Sequence, residues 1–159
     1  MKARRRFHSV VVFVGAIILS QLAGVLGMLF TMPLSTWYAG LVKPFFTPPS
    51  WAFGPVWITL YTLMGIALWV VWRARPRDHV PYVLFGVQLV LNMLWSILFF
   101  GLQQPGIAFG EILVLWIAVA FTLQSFWNTH QAAGWLLVPY LTWVTIATAL
   151  NLSIWMLNV

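Results

Sequence analysis

An all-α integral membrane protein, built as a five-transmembrane-helix bundle with a proline- and aromatic-rich first loop as its lid, is the architecture expected of this chain. Three observations carry that expectation. Of 159 residues, 62% are hydrophobic and only 6% charged, too few charged side chains to coat a water-soluble domain, so the bilayer must solvate most of the surface. Five apolar runs, over about 10–30, 55–72, 82–102, 106–127 and 135–157, each approach the roughly 20 residues that cross a hydrocarbon core. Six of the eight basic residues, Arg4, Arg5, Arg6, Arg73, Arg75 and Arg77, sit in two short clusters beside apolar runs. Such clusters set orientation, whereas nucleic acid would want a continuous basic face, so no nucleic-acid partner is expected. The whole chain, 1–159, reads as a single membrane domain with the lipid bilayer as its first partner.

The first run follows Lys2, Arg4, Arg5 and Arg6. It exceeds a signal-peptide core of about 7 to 15 residues and no small-residue cleavage pattern follows it, so a retained helix is expected. Ala16, Ser20 and Gly24 recur along it at every fourth residue, as do Ala23 and Gly27, a spacing that lets another helix approach closely. The lid, 31–54, comes next. Between Trp37 and Trp57 it collects Tyr38, Phe45, Phe46, Trp51 and Phe53 among Pro44, Pro48, Pro49 and Pro55, with Lys43 as the single charge. Prolines fix φ and remove donors, so this stretch is a stiff, bent connection whose aromatics can fold back and close a neighbouring surface.

Pro55 then stands where a helix accepts proline, in its first turn, and Trp57, Tyr61 and Gly65 share one face of the second run. RARPRDHVP, 73–81, is a solvated turn. On the third run Gln88, Asn92 and Ser96 lie four apart with Trp95 beside them. Uncompensated amides in hydrocarbon are costly, so this stripe should face the bundle interior, either bonding helices together or lining a ligand cavity. In the fourth run Gly106 and Gly110 form a G-x-x-x-G, and Glu111 is the only acid inside any apolar run. Its place about one turn from the edge lets it snorkel or be protonated, which favours a structural or interfacial role. Asn128 to Gly134 forms a loop, and Pro139 should loosen the start of the fifth run, where Trp143, Ala147 and Asn151 stack on one face. The basic clusters place the N-terminus in the cytoplasm and the lid outside.

Conventional catalysis finds no groups here. His8, His79 and His130 lie in the tail and loops, Asp78 and Glu111 are the only acids, and there is no cysteine. No buried imidazole is left to bind a metal or activate a serine, so neither a metal site nor a covalent cofactor is expected. What remains is aromatic surface, 17% of residues with eleven tryptophans. Trp69, Trp72, Trp127, Trp135 and Trp155, near run ends, read as an interfacial belt. Trp57, Trp95 and Trp143, accompanied by polar or small residues, read instead as walls for a large, planar, mostly apolar ligand, since stacking adds about 0.5 to 1.5 kcal/mol per ring pair.

WY-x-x-L-x-KP-x-x-x-PP-x-W at 37–51, W-x-x-LY at 57–61, Gln88 with L-N-x-x-WS at 91–96, FF at 99–100, and PYLTW with ATALN across 139–151 together resemble the translocator protein family, also called tryptophan-rich sensory proteins or peripheral benzodiazepine receptors. The likeness spans nearly the whole chain. It implies a bacterial member in the inner membrane, a five-helix bundle that forms a homodimer, and a pocket under the first loop. That pocket would bind protoporphyrin IX and related tetrapyrroles, and ligands of the benzodiazepine-receptor type. Trp57 and Trp143 match the two tryptophans that face the ligand, and they are the candidates for light- and oxygen-dependent protoporphyrin degradation. Tyr38, Phe45, Pro49, Asn92, Trp95, Ala147 and Leu150 match other lining positions; Phe46 and Trp51 of the lid and Tyr61, on the Trp57 face, join them as expected ligand contacts. The implied role is sensing, trafficking or removal of porphyrins, with transport of a tetrapyrrole or sterol as a further alternative. The C-terminal LNLSIWMLN lacks the aromatic and basic residues of the family's sterol-recognition pattern, which argues against sterol recognition there.

Overall fold

The computed structural model describes residues 2–31 and 35–159, with side chains at 6–29 and 36–159. Helices α1 (Lys2–Thr31), α3 (Ser50–Ala74), α4 (Val80–Ser96), α5 (Pro105–Thr129) and α6 (Gln131–Leu157) are long, and α2 (Ser35–Gly40) is a short turn inside the lid. Five segments, 6–29, 50–74, 80–101, 105–129 and 131–157, are long and apolar enough to cross a membrane. α1 packs on α3 and α4, α3 on α6, α6 on α5, and α5 on α4, which closes the long helices into a ring.

Lipid tails are as apolar as leucine, so such a bundle is held by close packing and interhelical hydrogen bonds rather than by hydrophobic burial. The small residues of α1 do this work. Ser20 is fully buried, a side chain at Gly24 would run into the Tyr61 ring, and a Cβ at Gly65 would lie 2.6 Å from Ile17 Cα. α1 and α3 are therefore in backbone contact. Gln21 Nε2 adds bonds to Ile58 O and Thr62 Oγ1, both at 3.0 Å, and Trp69 Nε1 donates to Ser9 O at 3.1 Å. In the core of the ring Met64, Ala67, Val71, Ile112, Val119 and Phe126 are sealed from the surface.

Several element boundaries differ from expectation. α1 runs down to Lys2, since its basic residues are good helix formers and need no apolar environment. α3 begins at Ser50 after an extended Pro49, with Ala52 N bonded to Pro49 O at 2.9 Å. Pro55 is consequently inside the helix, where its missing N–H removes one bond near the first turn. Trp51 and Phe53, expected in the loop, are helical. α5 and α6 are separated by His130 alone, whose extended backbone stops one helix and whose Nδ1 accepts from Ala132 N at 3.2 Å to start the next. α4 ends in a π-helical turn, Ile97–Gly101, and the chain reverses through Gln103 in the left-handed region at φ 54°.

Candidate functional site

Two aromatic clusters, sharing Trp95, occupy the half of the bundle that carries the lid. The first forms where α3 meets α6. Trp57 stacks on Tyr61, one turn later on the same face, with centroids 5.4 Å apart, and meets Tyr140 and Trp143 edge-on at 6.4 and 6.3 Å. Phe53 closes on Trp143 at 5.8 Å. Tyr61 Oη donates to Asn92 Oδ1 at 2.5 Å, and Asn92 Nδ2 donates to Tyr140 Oη at 3.1 Å. This buried relay ties α3, α4 and α6 together at one depth and satisfies an amide that would be costly in hydrocarbon.

The second cluster lies between the end of α4 and α2. Trp95 stacks on Phe99 at 5.4 Å, and Trp37 and Tyr38 reach Phe99 at 5.8 and 6.3 Å. Its indole nitrogen is occupied. Trp95 Nε1 donates to Asn151 Oδ1 at 2.9 Å, while Asn151 Nδ2 donates to Pro105 O at 2.7 Å. The π-helical turn inserts the extra residue that brings Phe99 and Phe100 onto neighbouring positions beneath α2, as such turns commonly do where a helix is shaped for function.

Three groups near this region stand out for lacking partners. Both amide atoms of Gln88, both carboxylate oxygens of Glu111 and the indole nitrogen of Trp143 are buried with no hydrogen-bond partner among the described residues. Stranding a buried donor or acceptor costs about 1 to 3 kcal/mol. Glu111 is half-buried with both carboxylate oxygens covered, which accords with a structural role for the group. At Trp143 the stranded donor belongs to the indole that meets the Trp57 ring edge-on.

The lid is fastened at two points. Val42 N donates to Asn158 Oδ1 at 2.9 Å and Asn158 Nδ2 donates back to Val42 O at 3.0 Å, a paired clamp onto the end of α6. Lys43 Nζ donates to Ala39 O and Leu41 O, each at 3.2 Å, capping α2, and lies 4.7 Å over the Tyr38 ring. Burial pushes the Tyr38 phenol up from its ordinary value, so the ammonium is the only charge there at neutral pH.

Of the residues expected to contact a ligand, Trp57, Tyr61, Asn92 and Trp143 come together, and Ala147 and Leu150 follow on the inner side of α6. Trp95 and Tyr38 belong to the adjoining cluster, with Trp95 also packed on the first. Phe45, Phe46, Pro49 and Trp51 are not brought to either: Phe45 is fully exposed, Trp51 is 77% exposed, and Phe45 and Phe46 meet only each other at 5.5 Å. Tyr140 and Phe53 are the contacts that sequence reasoning left out of the site. Tyr140 stands three residues before Trp143, and that helical spacing was the available signal.

These features define a multi-pass integral membrane protein with an aromatic and polar cluster enclosed in a ring of five helices. The TspO/MBR family matches residues 16–156, and the chain belongs to that family. It is 49% identical over 146 residues to the tryptophan-rich protein TspO of Archaeoglobus fulgidus, covering 90% of this chain and 95% of that protein. To the human translocator protein it is 41% identical over 123 residues, 75% of this chain and 73% of the other. The tryptophan-rich sensory protein of Cereibacter sphaeroides is 38% identical over 122 residues, 77% of each chain.

Proposed function

We propose that this protein is a membrane receptor for a planar, largely apolar ligand of the tetrapyrrole class, protoporphyrin IX or a near relative, and that it serves in sensing, trafficking or removing porphyrins. The observation that carries the reading is the Trp143 indole N–H, buried and without an acceptor among the described residues, on a ring that meets Trp57 edge-on. A ligand with a flat apolar body and a peripheral carboxylate or carbonyl supplies both a stacking partner for the indoles and the missing acceptor. Synthetic ligands of the benzodiazepine-receptor type share that combination. The name "sensory" of the Cereibacter relative agrees with a receptor role, and the basic clusters support, by the positive-inside rule, a cytoplasmic N-terminus in a bacterial inner membrane.

The test is a protoporphyrin titration of the purified chain followed by tryptophan quenching, with Trp143→Phe beside the wild type. Quenching should saturate near one ligand per chain. Removing the stranded N–H while keeping a smaller aromatic ring should weaken binding by at least roughly two- to tenfold, the worth of one hydrogen bond. Affinity that survives Trp57→Ala combined with Trp143→Ala removes the site from this cluster.

The edge-to-face approach of the two indoles, 6.3 Å between centroids, also favours a second reading in which dioxygen and light degrade the bound porphyrin through an indole radical. Loss of the porphyrin Soret band under illumination, abolished by Trp57→Phe or Trp143→Phe, supports it. Equal bleaching with free tryptophan rules it out.

A further inference from the structure

At the end of the bundle opposite the lid a cleft of about 1080 Å³ opens between the start of α1, the end of α3 and the start of α4. Arg6, Arg73, Arg75 and Arg77 line it, with His8 and Trp72 on its wall and Asp78 as the single acid. Asp78 is engaged elsewhere: its Oδ1 accepts from Val80 N at 3.0 Å and starts α4. Arg73 lies over the Trp69 ring at 5.0 Å, while the Arg6, Arg75 and Arg77 guanidinium groups make no hydrogen bond or ion pair with another described residue. Arg75 adopts a left-handed backbone at φ 54°, which ends α3 and swings the turn across the mouth. Arg75 and Arg77 also border a second cleft of about 600 Å³ on the α5 side of the same turn.

Orientation of a membrane chain depends on how many basic residues flank the spans, and scattered positions would serve equally. Four arginines lining one cleft, three of them with unengaged guanidinium groups, are a different property, the donor type that bidentate recognition of a phosphate uses. We propose that this cleft binds the phosphodiester headgroup of an anionic membrane lipid. A lipid fits better than a soluble anion because Val10 belongs to the lining and continues into the exposed Val11 and Val14 of α1, an apolar track for acyl chains. Trp72 and Tyr82, also in the lining, supply the amphipathic rings that settle at headgroup depth. Basic pockets between helices at this level are the general form of such sites.

Native mass spectrometry of the purified full chain, with phosphatidylglycerol or phosphatidylcholine added, reads the proposal directly. The wild type should retain one phosphatidylglycerol with a preference of about tenfold or more over phosphatidylcholine. Arg75→Gln with Arg77→Gln should lower that retention about thirtyfold, since each basic residue near an anionic headgroup is worth about a factor of five, and the matching lysine pair should keep most of it. Arg6→Gln, on a different helix, should lower it about fivefold and covers the case in which the double change unfolds the turn. Equal retention of the two lipids, or retention untouched by these variants in chains of unchanged circular dichroism, overturns the proposal. So does displacement of the lipid by millimolar inorganic phosphate, which would make the cleft a soluble-anion site.

Discussion

Asn92 is the residue on which three helices depend, because its amide serves two tyrosine hydroxyls at once, accepting from Tyr61 and donating to Tyr140. Asn92→Leu keeps the volume but strands both hydroxyls, each at about 1 to 3 kcal/mol. A lower thermal midpoint in detergent is expected, with a smaller loss in Tyr140→Phe, which strands only the Asn92 Nδ2 donor; an Asn92→Leu chain as stable as the wild type contradicts the relay. That Asn92 faces inward was legible in the sequence, because Gln88, Asn92 and Ser96 fall on one face of a run otherwise apolar. Its partners were not. A spacing tells which side of a helix a residue occupies, while the hydroxyl it meets depends on which helix packs there. Glu111 shows the limit from the other direction: depth along the run left open whether its carboxyl reaches the edge or is covered, and rotation about the helix axis covers both oxygens.

At the scale of elements, the existence of five helices followed from apolar length alone, and their ends did not. Termini are decided by local hydrogen bonds, such as the Nδ1 of His130 on Ala132 N, that hydropathy does not register. The lid illustrates the same point. Its prolines announced a rigid segment, yet what holds it is Asn158, a polar residue in the last turn of the chain with no distinguishing pattern around it. Asn158→Ala should release the segment 41–49. Faster hydrogen exchange at Val42 and quicker proteolytic cutting between Leu41 and Pro49 are the expected readouts, with α3 unaffected. Exchange at Val42 that does not change would mean that Lys43 and the Tyr38 packing suffice.

For the molecule as a whole, the ring order α1, α3, α6, α5, α4 decides what the tryptophans do. Trp57 and Trp143 pair because α3 and α6 are neighbours, although 86 positions separate them in the chain. Trp95 was expected in the same group and packs against it, while the π-helical turn beyond it, which no spacing in the sequence announces, also seats its ring against Phe99. Orientation belongs to this scale too. Since the chain has no cysteine, Phe45→Cys should react with a membrane-impermeant maleimide added to intact cells, and Asp78→Cys only after permeabilisation. The reverse pattern would invert the topology. The central claim is that a planar ligand seats against the paired indoles inside the ring. An experimental structure with protoporphyrin bound measures it most directly: the macrocycle should lie in van der Waals contact with Trp57 and Trp143, with an acceptor atom within hydrogen-bond distance of Trp143 Nε1. A macrocycle lodged on the outer, lipid-facing side of the helices, with Trp143 still unpartnered, would contradict it.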